Sequence, residues 1–245
     1  MGGSLSGKMK SGSWPEGYDR RVLENVDSTL SEAVRLAPEL PGPGWILAHR
    51  QTAARGRRGR AWSMPEGNFA ATLVLPLSDG PEQAALRSFV TSLALHEAFV
   101  AATGRAGAFG LKWPNDVLLQ GGKVAGILLE TITTGGLLSH LAIGIGVNLA
   151  AAPDATDVEE GALRPVCLAS SLGVRITPDA FLDLLAASYA RYEAQFLTLG
   201  FAPIRTAWLA QASRLGETIT ARTTRDVFVG RFTDVDETGQ LVLET

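Results

Sequence analysis

Apolar residues recur along the chain at two spacings, and together these spacings predict a protein that alternates strands with helices. Short runs rich in Val, Ile and Leu, bounded by Gly, Pro, Asn or Asp, predict β-strands. Stretches in which apolar residues return every three or four positions predict helices that bury one face. The predicted strands cover residues 21–26, 45–51, 69–77, 117–119, 124–130, 138–148, 227–232 and 241–243.

Two long helices are predicted between these strands, because Pro stands at each start and Gly just beyond each end. The first runs from Pro81 to Gly104, and the second follows its capping residue Thr177 and ends at Gly200. The side chains predicted to face the core are Leu86, Phe89, Val90, Leu93 and Val100 in the first helix and Phe181, Leu184, Leu185, Tyr192, Phe196 and Leu199 in the second.

Shorter signals mark the connections between these elements. Ser28 follows the first strand and is predicted to cap a short helix, because its hydroxyl can accept a hydrogen bond from a free N–H group of the first turn. Gly121 and Gly122 predict a hairpin turn that leaves Lys123 at the start of the returning strand. Residues 236–239 predict another turn close to the end of the chain.

The order of these elements predicts an α+β fold, in which a mixed β-sheet is flanked by helices and followed by a small β-module. Residues 1–13 are rich in Gly, Ser and Lys and lack apolar periodicity, so they are expected to form a flexible leader. Short alternating strands dominate after Leu215. We therefore expect a main, ligand-binding domain over residues 14–212 and the small β-module over residues 213–245.

Composition indicates a folded globular protein in a reducing compartment. The chain has 245 residues and is 46% hydrophobic, which is enough for one substantial core. Its single cysteine, Cys167, excludes an internal disulfide and indicates a buried thiol in a cytoplasmic protein. The longest apolar run, residues 137–149, is shorter than the ~20 residues that a membrane helix needs, so no membrane association is expected.

Positive charge is concentrated in one glycine-punctuated loop that follows the second predicted strand. Five arginines lie within residues 50–60, although the whole chain has only 22 Lys and Arg residues and a net charge of −3. Arginine presents a planar fork suited to carboxylate and phosphate oxygens, so this arginine loop (residues 54–62) predicts an anionic ligand. A dinucleotide fingerprint built on Ala54, Gly56 and Gly59 is disfavoured because no helix follows it. An RNA-binding tract is disfavoured by the acidic balance of the remaining chain.

Residues that would support metal or hydrolytic chemistry are scattered. His49, His96 and His140 have no metal-ligand spacing with one another or with Cys167. The chain also lacks the G-x-S-x-G motif that forms the nucleophile elbow of serine hydrolases. Neither a zinc site held by protein side chains nor a hydrolytic triad is therefore predicted.

Three further motifs follow the arginine loop: K-W-P-N-D at residues 112–116, K-V-A-G-I-L-L-E at 123–130 and G-I-G-V-N at 144–148. With these four motifs in order, residues 26–149 resemble the biotin protein ligases, and in particular the stand-alone members without an N-terminal DNA-binding domain. The resemblance implies a class II synthetase-like catalytic domain with a small SH3-like β-module. It also implies a reaction in which biotin and ATP form biotinyl-5′-AMP, from which biotin is transferred to a lysine of a protein.

The resemblance assigns three groups of residues to such a site. One group binds biotin, a second binds ATP with Mg²⁺ near Asp116, and a third is catalytic. The biotin group is Ser28, Thr29, Gln51, Arg55, Gly56, Arg57 and Lys123, the ATP group is Arg57, Trp62, Lys112, Asn115, Asp116 and Asn148, and the catalytic group is Lys123, Arg57 and Lys112.

The cations suit this reaction, because joining a carboxylate to a phosphate brings two anions together. At ~4 Å and an effective dielectric near 20, their repulsion is about 4 kcal/mol. Other roles stay open for several residues on sequence grounds alone. Ser28 can act simply as a helix cap, Asn115 and Asp116 are good turn formers, and Trp62 is equally suited to ordinary core packing.

The resemblance further implies a partner, the biotin carboxyl carrier domain of a biotin-dependent carboxylase. It leaves monomer and homodimer open, and DNA binding is not expected because only about twenty residues precede the catalytic region. The chain departs from the family pattern at Ala54, which replaces a loop glycine, and at Leu30, where many relatives carry asparagine. The β-module is expected to lack a final strand. A lipoate-type ligase and a ligand-binding regulator without turnover are the alternative functions.

Overall fold

A computed structural model of the protein describes residues 14–56, 59–77, 80–154, 163–222 and 226–245. Its centre is a seven-stranded sheet with the strand order β1-β2-β3-β7-β6-β5-β4. Strands β1 and β2 run parallel, and the other neighbouring pairs run antiparallel, so the predicted mixed sheet is confirmed. The strands are β1 (Asp19–Val26), β2 (Gly44–Gln51), β3 (Phe69–Pro76), β4 (Phe109–Lys112), β5 (Asp116–Leu119), β6 (Gly122–Thr134) and β7 (Leu137–Val147).

Helices cover the two faces of this sheet unequally. The four later helices contribute to the main apolar core, whereas the first helix packs on the other face of the sheet over a smaller cluster that includes Ile46, Val74 and Ala142. Alternate residues of each strand point to opposite faces of the sheet. Trp45 therefore lies in the main core, and the next residue, Ile46, lies in the smaller cluster. The helices are α1 (Thr29–Leu36), α2 (Pro81–Thr103), α3 (Leu168–Leu172), α4 (Pro178–Leu199) and α5 (Phe201–Ala210).

The predicted ends of the long helices are confirmed, but two predicted core residues are not. Val100 is only half-buried and lies outside the core cluster. Gly104 ends α2 with a left-handed backbone, φ +70°, and the Thr177 hydroxyl accepts a hydrogen bond from the first turn of α4. Leu199 was expected in the core, and it is 63% exposed. The chain reverses at Gly200, so that Phe201 rather than Leu199 reaches the core and packs against Phe89.

The predicted hairpin between β5 and β6 exists, with its turn one residue earlier than expected. Gln120 and Gly121 both have positive φ, as a two-residue type I′ turn requires, and Leu119 pairs with Gly122. Gly122 is therefore the first residue of β6. Strand β4 and helices α3 and α5 were not predicted, because they are short and carry weak periodicity.

Three C-terminal strands form a separate antiparallel sheet, consistent with the predicted SH3-like module. They are β8 (Thr218–Arg222), β9 (Val227–Val235) and β10 (Leu241–Glu244), in the order β10-β9-β8. The predicted turn at residues 236–239 is confirmed, because the Asp236 carboxylate accepts hydrogen bonds from the N–H groups of Thr238 and Gln240. The domain boundary at residue 213 stays a prediction, and the leader predicted at residues 1–13 lies outside the described residues.

Two further observations concern the character of the chain. Among the residues that the structure describes, no helix is both long enough and apolar enough to cross a membrane. Cys167 is buried and its sulfur lies 3.1 Å from the Ser170 hydroxyl, so the predicted buried thiol is confirmed.

An ion pair within the apolar core joins α2 to α4. The Arg87 guanidinium lies 2.9 Å from a Glu193 oxygen, and both side chains are at least nine-tenths buried. The Tyr189 hydroxyl donates to the other oxygen of Glu193 at 3.0 Å. Because a charge left alone in such surroundings is costly, the two helices are held in one relative position.

We expect Arg87→Met to lower the free energy of unfolding by about 3–5 kcal/mol, because it leaves the Glu193 carboxylate buried without its cation. The double variant Arg87→Met/Glu193→Gln is expected to recover much of this loss, since Gln keeps an acceptor for Tyr189 and carries no charge. Urea unfolding of the three proteins measures the difference. A single variant within about 1 kcal/mol of the unsubstituted protein would contradict a structural role for the pair.

A second ionic contact ties the end of β2 to the start of α4. His49 Nε2 lies 2.9 Å from an Asp179 oxygen, and Nδ1 lies 3.4 Å from Glu24. Arg20 also pairs with Asp179, at 3.3 Å. The hydrogen bond to Asp179 raises the pKa of His49 above its ordinary value of 6.5.

This shift predicts a pH-dependent contribution to stability. A raised pKa in the folded state means that the contribution is fully present below pH 6.5 and disappears as the pH rises through the folded-state pKa. We therefore expect His49→Gln to be less stable than the unsubstituted protein at pH 6 and equally stable at pH 9. Solvent screening keeps the difference below about 1 kcal/mol. Guanidinium unfolding at both pH values measures it, and a difference that does not change with pH would disprove the role.

Candidate active site

A large cleft lies on the α1 face of the central sheet, beside the first residues of α1. Its floor consists of Gly126, Gly144 and Gly146, of which Gly126 and Gly146 are paired across β6 and β7. The C-terminal sheet lines another wall. The cleft has a volume of about 1860 Å³, and a single-ligand pocket typically has roughly 300–1,000 Å³. There is space for two ligands side by side.

Trp62 rests on this glycine floor. A Cβ atom at position 146 would lie 2.5 Å from Trp62 Cε2, and one at position 126 would lie 3.3 Å from Trp62 Cζ3. The Lys123 ammonium lies 5.6 Å from the centre of the indole ring, within cation–π range. Of the two roles left open by the sequence, the structure places Trp62 in the cleft and not in the core.

Neutral hydrogen-bonding groups cluster where α1 begins. The Gln51 side-chain oxygen accepts from the Thr29 N–H at 2.7 Å and lies 3.2 Å from the Thr29 hydroxyl. The Ser28 hydroxyl accepts from Leu30 N–H, so its predicted capping role is confirmed while it also lines the cleft. Thr72, which the sequence analysis missed, donates to the Thr29 hydroxyl at 2.9 Å. These groups suit a polar ligand without charge.

The departure at Leu30 places an apolar wall beside this neutral cluster. Leu30 is buried and packs on Gly144, where a Cβ atom would lie 2.9 Å from Leu30 Cγ. Leu30 therefore makes this part of the cleft apolar, directly beside the hydrogen bonds of Thr29.

Charged groups cluster at another part of the cleft, where β4, β5 and β6 begin or end. The Lys123 ammonium lies 2.7 Å from one oxygen of Asp116, and the Lys112 ammonium lies 3.6 Å from the other. Cross-strand pairing brings Lys123 close to Asp116. Asp116 is paired with Gly126, and because Gly126 has no side chain, the end of the Lys123 side chain fits beside it. Two ammonium groups and one carboxylate leave a net charge of +1, which favours an anion.

The two predicted asparagines differ in how their side chains are used. The Asn115 amide donates to the Ile127 carbonyl at 2.6 Å and holds the turn against β6. The Asn148 amide donates to the Val166 carbonyl at 3.1 Å. Its Oδ1 atom is buried and has no hydrogen-bond partner among the described residues, so it is available as an acceptor.

The described part of the arginine loop is folded back on itself between β2 and β3. Its two legs are joined by hydrogen bonds from Gly56 N–H to the Arg60 carbonyl and from Trp62 N–H to the Ala54 carbonyl. Ala54, which replaces a glycine of the family pattern, takes part in this pairing through its carbonyl. Arg57 was predicted to contact both substrates, and it lies outside the described residues.

Arg55 is engaged by groups of the protein itself. Its guanidinium donates to both oxygens of Glu130, at 2.9 and 3.3 Å, and to the Ser31 hydroxyl at 2.8 Å. The hydrogen-bonded carboxylate raises the pKa of Arg55 above its ordinary value. Its positive charge is thus balanced by Glu130 in this structure, although the sequence analysis expected it to face biotin.

A further polar residue that the sequence analysis missed holds the chain just after Asn148. Asn68 is buried, its side-chain oxygen accepts from the N–H groups of Ala150 and Ala151, and its amide donates to the Ala151 carbonyl. An asparagine directly before a buried apolar strand was the available signal. Residues 155–162 lie outside the described residues, and Pro165, which follows them, lines the cleft beside Lys123.

The acidic and histidine residues of the described chain give little support for a metal held by protein alone. Among the residues that the structure describes, His, Cys, Asp and Glu form no group of three or more that would hold a metal ion. Asp116, near which the resemblance implies Mg²⁺, is occupied by two ammonium groups.

Comparison with known proteins agrees with the arrangement of the fold and cleft. Residues 22–148 match the model of the biotin/lipoate A/B protein ligase family. The chain is 54% identical over 222 residues to the biotin–(acetyl-CoA-carboxylase) ligase of Paracoccus denitrificans, with 91% of this chain and 92% of that protein covered. It is 31% identical over 232 residues to the bifunctional ligase/repressor BirA of Bacillus subtilis, with 91% of this chain and 68% of that protein covered.

A solved structure of a biotin protein ligase also has the same fold as this chain. The biotin protein ligase from Aquifex aeolicus in complex with biotin and ATP superposes with a TM-score of 0.78 at 25% sequence identity, covering 93% of this chain and 92% of that chain. The family match spans the first strand, the arginine loop and the floor of the cleft, in agreement with the position of the site. The chain therefore belongs to the biotin/lipoate A/B protein ligase family.

Proposed function

We propose that this protein is a biotin protein ligase, which activates biotin with ATP to biotinyl-5′-AMP and transfers biotin to a lysine of a carrier protein. The observation that carries the proposal is that a neutral polar cluster and a cationic cluster share one glycine-floored cleft. Such a cleft can hold an uncharged ligand head at one end and phosphates at the other. The two substrates would meet between these ends.

The neutral cluster suits the ureido head of biotin, which has both donors and acceptors and no charge. We assign Ser28, Thr29 and Gln51 to this head, and Gly56 to the neighbouring loop backbone. Thr72 supports Thr29 from within the sheet. Leu30 and the glycine floor would pack against the apolar rings, since a flat surface without side chains lets a ring system lie close to the strands.

The cationic cluster suits the carboxylate of biotin and the phosphates of ATP. We assign Lys112 and Lys123 to these anions, and Asn148 to the nucleotide through its available Oδ1 atom. A biotin carboxylate oxygen attacks the α-phosphorus, the bond to the β-phosphate oxygen breaks, and pyrophosphate leaves. Ammonium groups fixed in the cleft before the reaction stabilise the charge that develops on the phosphate.

Asp116 keeps Lys123 in place rather than binding a metal directly. Its carboxylate already forms ion pairs with two lysines, at 2.7 and 3.6 Å, so its oxygens do not fit the role of a Mg²⁺ ligand in this arrangement. We propose that Mg²⁺ accompanies the ATP phosphates, as this ion commonly does. Asn115 is assigned to the turn that presents Lys112 and Asp116 to the nucleotide.

In the second step, the amine of the acceptor lysine attacks the carbonyl carbon of the mixed anhydride, AMP leaves, and the nitrogen loses a proton. The name of the Paracoccus denitrificans relative supports an acetyl-CoA carboxylase as the source of the acceptor. We propose its biotin carboxyl carrier domain as the partner. The arginine loop would cover the anhydride until the carrier arrives, because water would otherwise hydrolyse it.

Incorporation of labelled pyrophosphate into ATP tests the function directly. We expect exchange that requires biotin and is not supported by lipoate, because the reversal of adenylation needs the correct acyl group. Exchange supported by lipoate and not by biotin would identify a lipoate-type ligase. Tight biotin binding without any exchange would identify a ligand-binding regulator.

Substitution of Lys123 tests the electrostatic argument. We expect Lys123→Met to lower the rate of biotin-dependent exchange by about 10²-fold or more, since a charged donor to the transition state is lost. Methionine retains an unbranched chain that can pack beside Trp62, and Lys123→Arg serves as the matched control that retains the charge. Exchange at the unsubstituted rate in Lys123→Met would remove Lys123 from the catalytic group, provided that thermal unfolding shows a folded variant.

A further inference from the structure

The arginine loop is attached to the protein at both of its legs. The outgoing leg is held by Arg55, which contacts Glu130 on β6 and Ser31 on α1. The returning leg is held by Trp62, which packs on the glycine floor formed by β6 and β7. Between them, the loop is closed by the backbone hydrogen bonds of Gly56 and Ala54.

Arg55 has a geometry suited to holding a loop. Three of its N–H groups are committed, two to the carboxylate and one to a hydroxyl, and the planar guanidinium fixes all three directions at once. Its two partners come from different elements, so the contact joins the loop to the sheet and to α1 together. The side chains of Arg55 and Glu130 are 33% and 34% exposed, so water screens the pair only in part.

The position of Glu130 follows from the register of the sheet. Glu130 is paired with Ala142 of β7, which belongs to the cluster under α1. Alternation along β6 puts Glu130 on the same face as Gly126 and Leu128, which line the cleft. The strand that supplies the floor therefore also supplies the attachment point for the loop.

We propose that Arg55 is a positioning residue, which attaches the arginine loop over the cleft through Glu130 and Ser31, and that it is not a ligand of the anionic substrates. Its charge is balanced by the protein, so it adds little to the field acting on the phosphates. What it contributes is order, because a segment that is already held in place loses less conformational freedom when substrates bind. The attachment itself does not depend on the proposed function, and its effect on biotinyl-5′-AMP does.

Limited trypsin digestion of the protein without ligands tests the attachment independently of any activity. Residues 55–60 contain four arginines, so loss of the attachment should expose cleavage sites. We expect Glu130→Gln and Ser31→Ala each to increase the rate of cleavage within this segment several-fold. Glu97→Gln, which removes the acid of the Arg191–Glu97 pair between α2 and α4, is the matched control and should cleave at the unsubstituted rate.

A double-mutant cycle tests the consequence for the reaction. The readout is the rate at which biotinyl-5′-AMP escapes into solution after a single turnover, measured for Arg55→Gln, Glu130→Gln and the double variant. If Arg55 acts through Glu130, each single variant should raise the escape rate by about the same factor and the double variant no further. If Arg55 binds the substrates directly, Glu130→Gln should lower or preserve the escape rate and the double variant should behave like Arg55→Gln alone.

The two experiments separate failure of this proposal from failure of the proposed function. Cleavage of Glu130→Gln at the unsubstituted rate overturns the attachment, whatever reaction the protein catalyses. Faster cleavage together with equal, non-additive escape rates supports the positioning role. Faster cleavage in a protein that shows no biotin-dependent exchange leaves the attachment supported and overturns only the proposed reaction.

Discussion

The close approach that Gly126, Gly144 and Gly146 permit is the constraint on which the site depends. At these positions the sheet presents bare backbone, so that Trp62, Leu30 and the Lys123 side chain can lie directly on the strands. A single methyl group at position 146 would overlap the indole ring, which would displace the returning leg of the arginine loop. The cleft, its aromatic cover and its cation are therefore consequences of one patch without side chains.

Neutral polar groups and charged groups occupy separate parts of the cleft above this floor. Neutral donors and acceptors gather where α1 begins, and ammonium groups gather at the ends of β4, β5 and β6. The protein balances part of the positive charge with Asp116 and Glu130, which hold their cations in fixed positions. Fixed charges need little reorganisation when a reaction creates new charge, and this is the advantage that a folded site has over water. The C-terminal sheet completes the cleft. The Trp113 indole N–H donates to the Gly239 carbonyl at 3.0 Å, so the turn between β4 and β5 is in direct contact with the turn that precedes β10.

Much of the fold followed from local patterns, and the failures have local causes. Periodicity and the Pro and Gly signals located α2 and α4, and the Ser28 cap was correctly predicted. Strand β4 and helix α5 were not predicted from the sequence, because short elements are specified mainly by the residues that they pack against. Leu199 was misplaced because helical spacing predicts which residues share a face and does not predict where the core ends. In the site, Thr72 and Asn68 were missed, since a lone polar residue beside an apolar run has no motif of its own.

The sequence by itself determined the family, the order of the motifs and the chemical types present, because these depend on which side chains the chain carries and on their spacing. The tertiary structure decided which charges remain available to a ligand. Arg55 and Lys123 look equally suited to an anion in the sequence, and the fold gives Arg55 a bidentate carboxylate and a hydroxyl from two other elements. Glu130 and Ser31 lie 75 and 24 residues from Arg55 along the chain, and only sheet register and helix packing bring them within hydrogen-bonding distance. Local spacing contains no information about such distant neighbours. The charge of Glu130 is what decides whether the Arg55 guanidinium is available to an anionic ligand.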